Sequence, residues 1–187
     1  MSEAPAAAAM PGAAPTTPSI ARRMACFVYE ATLLFGLGLI PGVIGAVFVA
    51  QTGQHGVLQS PTALRIYAWI LYGVYFVWFW TVRGQTLAMQ TWRIGLVTAA
   101  GHLPTQARAL TRYVACCIAW FGPSTAIAFA LRLPPSTSLA LAAAWIVVYA
   151  LLARAAPGRQ FWHDIACGTR LVDTRAIDWA SLRSRPR

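Results

Sequence analysis

The sequence predicts an all-α membrane protein: a bundle of about four transmembrane helices, a small helix at the cytoplasmic face, and a two-stranded pairing beside it. Three observations carry this. Hydrophobic residues make up 58% of the 187 residues and charged ones only 11%, against roughly 45–50% and 25% in soluble domains. Four apolar runs are spaced along the chain, with lengths near or above the about 20 residues that cross a bilayer, the last being the shortest. The 15 Lys+Arg positions are all arginine, and they bracket the apolar runs.

The first twenty residues are rich in Ala and Pro, with Glu3 as their only charge. They read as a disordered tail (1–20), since a signal peptide needs a basic start and a short apolar core. The Arg22-Arg23 pair precedes an apolar run, Met24 to Ala50, that is too long for a cleaved export signal and reads as a retained anchor. Glu30 is its only charge. At ~1.5 Å per residue it lies roughly 9 Å along the helix from the start of the run. A charge at mid-bilayer costs about 2.5–3.5 kcal/mol, so such a residue faces the protein interior and has a partner. Gly38, Gly42, Ala46 and Ala50 recur every fourth position and form a smooth stripe that admits close packing; Pro41 predicts a bend.

Gln51 to Thr62 reads as a polar loop, with His55 a solvated residue in it. The second span is Ile66 to Val82, with Arg65 at its entry; Trp78 and Trp80 mark where it leaves the bilayer. Gly84 to Thr91 suits a short interfacial helix. Trp92 to Thr98 alternates and reads as a strand, Thr169 to Asp173 as another; pairing them satisfies backbone groups beside the membrane. The third span starts at Pro104-Thr105. Arg108 and Arg112 share one face of it, and its apolar part, Tyr113 to Leu131, should kink at Gly122-Pro123. The last span, Leu139 to Ala153, is short, and Ala155 and Ala156 extend it if Arg154 snorkels to the surface. These elements make one domain, 21–173, followed by a basic cytoplasmic tail, 174–187.

The formal charge of +10 points to the membrane surface. A nucleic-acid binder concentrates its basic charge on a soluble domain, whereas here the arginines obey the positive-inside rule. Arg22 and Arg23, then Arg83, Arg93, Arg108 and Arg112, then every arginine from Arg154 onward fall on one side, leaving Arg65 and Arg132 for the other. Four spans with both termini in the cytoplasm fit that split. The expected partners are anionic lipid headgroups and a second copy or another membrane protein, with no nucleic acid.

The motifs Arg22-Arg23-x-x-Cys26-x-x-x-Glu30, Gly84-Gln-Thr-Leu87 followed by Trp92-Arg93, Arg108-x-x-x-Arg112, and Arg159-x-x-x-His163-Asp164-x-x-Cys167-Gly168-Thr169 together resemble the RDD family of small bacterial membrane proteins. The resemblance covers about Ala21 to Val172. It places the family's arginine on Arg22 or Arg23 and its last aspartate on Asp164. The first-span aspartate falls on Glu30, which keeps the charge and lengthens the side chain. Cys26 stands where the family usually has a small residue. The resemblance implies a fold and a residue constellation; the family's role is mostly unassigned, and transport has been suggested for it.

The candidate site is an ion-pair or transport cluster at the cytoplasmic end: Arg22, Arg23, Glu30, Arg108, Arg112, Arg159, His163 and Asp164. Glu30, the deepest, should pair with Arg108 or Arg112, because guanidinium and carboxylate form bidentate bonds. His163 and Asp164 offer a proton relay. One reading gives the cluster a structural or assembly role, the other ion or small-solute movement with Glu30 as carrier. Cys26, Cys116, Cys117 and Cys167 read as reduced apolar filler; the alternative is a metal site built from them with His163. No cofactor is expected. No enzyme is expected either, since nucleophile elbow, P-loop, HExxH and dinucleotide fingerprints are missing from the sequence.

Overall fold

The computed structural model of the chain describes residues 16–53, 60–175 and 179. The His55 loop, most of the 1–20 tail and most of the 174–187 tail lie outside the described residues.

Among the described residues, four helices are long and apolar enough to cross a membrane. The first, α1 (Ile20–Thr52), starts where the Ser19 hydroxyl accepts the Arg22 N–H, and ends at Gly53, whose left-handed φ of 65° closes the last turn. The second, α2 (Pro61–Val82), begins several residues before the apolar run, so Arg65 lies inside it. Between α2 and the third span stand a one-turn helix α3 (Leu87–Thr91) and the strand β1 (Ile94–Thr98). The third span is α4 (Gln106–Ala130), capped by Thr105 at the predicted start. The fourth, α5 (Pro135–Leu152), starts four residues before the predicted Leu139, with a proline in its first turn. The lengthening comes at the start of the span; at its other end the helix stops at Leu152, so Ala155 and Ala156 do not extend it. A 3-10 turn (Pro157–Arg159), the short helix α6 (Trp162–Ala166) and the strand β2 (Thr169–Asp173) complete the described fold.

Breaks in the helical hydrogen bonding are put to use. Pro123 has no N–H for the Ala119 carbonyl one turn back, and the indole of Trp145 donates to that carbonyl at 2.9 Å, pinning α5 to α4. Gly73 lets the Tyr113 ring lie against α2, and the Tyr113 hydroxyl donates to the Trp69 carbonyl at 2.7 Å. Gly38 does the same for Tyr72: a Cβ there would come within 2.5 Å of the Tyr72 hydroxyl, which donates to the Leu34 carbonyl.

The predicted pairing is present. β1 and β2 run antiparallel, with Leu96 opposite Leu171 at the centre of the register. β1 starts two residues later than predicted, because Arg93 turns left-handed at φ 55°. All five β1 residues are buried, so the alternation in sequence described one face while Trp179 packs on Gly95 of the other. Both outer edges are closed by glutamine side chains. The Gln160 amide donates to the Leu171 carbonyl and accepts the Leu171 N–H, each at 2.9 Å; the Gln85 amide donates to the Ile94 carbonyl at 2.7 Å. The N-terminal segment joins the same cap, with the Thr16 carbonyl accepting the Asp173 N–H.

The cap is built twice. A left-handed residue, a glutamine, one cap residue, a one-turn helix, another left-handed residue and a strand follow α2, and the same series follows α5. The offset is a constant 75 positions, from Gly84 to Arg159 and from Ile94 to Thr169. Loop hydrogen bonds repeat too: Thr174 N–H to the Arg93 carbonyl matches Ala99 N–H to the Gly168 carbonyl. α1 lies against α3 as α4 lies against α6. The two halves are therefore related by a pseudo-dyad that passes between Leu96 and Leu171.

Candidate functional site

The buried face of α1 carries Arg23, Cys26 and Glu30 at helical spacing. Among the described residues, no arginine holds Glu30. Its Oε1 accepts from the Tyr75 hydroxyl of α2 at 2.6 Å, and its Oε2 accepts from the Thr86 hydroxyl. Thr86 is the N-cap of α3, so its hydroxyl oxygen also accepts the Met89 N–H, at 3.2 Å. The expected partners, Arg108 and Arg112, lie elsewhere for a geometric reason. Both sit on the first turns of α4, level with the cap, while Glu30 is seven residues into the span beyond Arg23. Arg108 points out of the bundle and is exposed.

Arg112 belongs to the second carboxylate. Asp164 is fully buried, and its Oδ1 accepts from Nε and Nη2 of Arg112, each at 2.7 Å. The guanidinium stacks 4.2 Å above the Trp80 ring, and the Thr169 hydroxyl reaches Oδ1 at 3.3 Å. This pair ties α4 to α6 and, through Trp80, to α2. Arg22 leaves the predicted cluster for Asp173, which sequence reasoning had read only as a strand end. Its second nitrogen donates to the carbonyls of Trp92 and Arg93, at 2.6 and 3.0 Å. The Arg22 guanidinium holds the Asp173 carboxyl below the usual carboxylate range. Arg23 stacks 4.4 Å from the Phe161 ring and donates to the Arg159 carbonyl at 2.8 Å. Arg159 contributes that carbonyl, while its side chain is exposed. Asp164 Oδ2 and Arg23 Nε and Nη1 are buried with no protein partner among the described residues; polar atoms so placed are those that ordered water satisfies.

His163 sits in an aromatic stack with Phe161 and Tyr149. Its Nδ1 is 2.7 Å from the Tyr149 hydroxyl, which also accepts the His163 N–H. That hydroxyl therefore donates to Nδ1, and the ring proton is assigned to Nε2. Nε2 lies 3.6 Å from Asp164 Oδ1, beyond hydrogen-bond reach for the expected relay. Burial pushes the imidazole pKa down to about 4, against the pull of Asp164 and with the push of Arg112 and Arg23, so the ring is neutral near pH 7. All four cysteines are free, and burial raises the Cys167 thiol. No group of three His, Cys, Asp or Glu suited to a metal occurs among the described residues, so the alternative metal site is not assembled.

The predicted cluster thus divides into a guanidinium–carboxylate site within the cap and a hydroxyl–carboxylate site deeper in the bundle. Residues 17–168 match the model of the RDD family. The chain belongs to the RDD family. No curated protein and no solved structure matches it. In this RDD protein the motif positions Arg22-Arg23, Glu30 and Asp164 all line the contact between the spans and the cap. The residues that sequence reasoning missed are Tyr75, Thr86, Tyr149, Asp173 and the two glutamines. Thr86 carried a signal, a hydroxyl directly before an apolar helix. Tyr75 was hidden in an aromatic run that reads as an interface belt.

Proposed function

We propose that the cluster's first role is structural, closing the bundle against a cap that sits at the cytoplasmic face of a bacterial inner membrane, with both termini on that side. The observation that carries it is the Arg112–Asp164 pair, buried at both ends and bonded twice to one oxygen. A buried pair of this kind costs stability when one partner is removed, and far less when both become apolar. The test is accumulation and detergent-solubilised unfolding of Asp164→Asn beside the double variant Arg112→Met/Asp164→Leu. Recovery in the double variant supports the reading; equal failure of both sinks it.

Glu30 supports a second reading, proton- or cation-coupled movement of an ion or small solute. Its carboxylate is bonded by hydroxyls that serve either charge state, with no guanidinium fixing it as an anion. Flux through proteoliposomes across a panel of cations and pH gradients tests this. Glu30→Gln should abolish flux while leaving expression intact. Neither reading contains a catalytic step. The exposed Arg83, Arg93, Arg108, Arg154, Arg159 and Arg175 suit anionic headgroups beside the cap, and a second copy of the chain or another membrane protein is the expected assembly partner.

A further inference from the structure

The pseudo-dyad is obeyed by the cap and broken by the spans. α4 lies along α5 and against α2, and it buries residues as far along as Ser124. By the dyad, α1 should lie along α2 and against α5. Its packing on α3 obeys the dyad, but it touches α5 sparsely and buries no residue beyond Glu30. Its outer half leaves the bundle, with Ile44 64% and Phe48 49% exposed.

The place where α1 departs is built to bend. Gly36, Gly38 and Gly42 flank Pro41, which leaves the Leu37 carbonyl without its helical donor. On the cap side of this point α1 is fastened, by Glu30 to Tyr75 and Thr86 and by the Leu34 carbonyl to Tyr72. At Gly42 a Cβ would meet nothing within 4 Å, so there is room for another helix to come close.

We propose that the outer half of α1 has a second resting place, against α2 and α5 of the same chain, reached by bending at Gly38–Gly42. The occupant of the groove between α2 and α5 is named by the dyad, since α4 fills the equivalent groove. Glu30 acts as the latch, because its carboxylate ties α1 to both α2 and α3 through two hydroxyls, on the cap side of the bend. The movement follows from packing alone and holds whether or not Glu30 carries an ion.

Pulsed dipolar spectroscopy tests it in bilayers, with spin labels at Phe48→Cys and Phe129→Cys and the four native cysteines replaced by alanine. Both labelled positions are exposed, at the outer ends of α1 and α4. Two distance populations are expected. Pro41→Ala, which restores a helix donor, should shift their ratio by about threefold or more, and Glu30→Ala, which removes both hydroxyl bonds, should shift it by releasing the latch. One distance, unmoved by either variant, overturns the proposal. So does a shorter distance that vanishes when labelled protein is diluted with unlabelled protein, because a second copy then covers α1. Two populations in a protein that moves no ion keep the proposal and remove only the transport reading.

Discussion

The two halves of this molecule share one cap backbone but treat a buried carboxylate in opposite ways. In the second half Asp164 is met by Arg112 and screened by an indole ring. In the first half Glu30 is met by two hydroxyls. The first arrangement fixes a charge: taking away either partner strands the other. The second tolerates a change of charge, because a hydroxyl can donate to a carboxylate or accept from a carboxylic acid. A repeated scaffold has therefore been given one rigid fastening and one adjustable one.

Breaking the rigid side should have the largest effect. Arg112→Met leaves Asp164 buried and unpaired, and should cost about 3–5 kcal/mol in denaturant unfolding of the micelle-embedded protein. An effect under about 1 kcal/mol would erase the contrast. Next is pH. His163 binds its proton less tightly when folded, at about 4, than at its ordinary ~6.5. The unfolded chain therefore takes up protons first, and stability should fall as pH drops from about 6.5 to 4, by on the order of 3 kcal/mol. His163→Gln should flatten that slope. Gln160→Ala removes both ends of the Leu171 peptide bonding and should cost about 2 kcal/mol, more than Gln85→Ala, which frees one carbonyl. Glu30→Gln should cost about 1 kcal/mol or less, since an amide can still bond to both hydroxyls. The smallest effect has the opposite sign. Arg93→Gly and Arg159→Gly relieve left-handed backbone at positions where the other half uses Gly168 and Gly84, and each should gain about 0.5–1 kcal/mol in the same unfolding measurement.

The spans, the short helix after α2 and both strands were legible because composition and local periodicity determine them. The pairing of Glu30 was not, because it depends on how α2 and α3 are rotated against α1, a long-range matter. Arg112 and Arg108 look equivalent as letters four apart, yet only one faces the cap. The duplication was the least legible feature. Glycine fills the first left-handed position of one half and arginine that of the other, and the second positions are exchanged. Few side chains repeat, among them Gln85 with Gln160, Leu96 with Leu171 and Val97 with Val172. The backbone kept the repeat while the residues diverged.

The register between β1 and β2 also bears on how the protein is made. β1 emerges from the ribosome before α4 and α5, and its partner strand emerges only after both. Until then the inner edge of β1 has open backbone groups beside the bilayer. Closure of this small sheet therefore waits until α4 and α5 have both been made. A chain halted after α5 would keep its membrane helices yet present an unpaired strand, the kind of surface that quality-control proteases and aggregation both recognise.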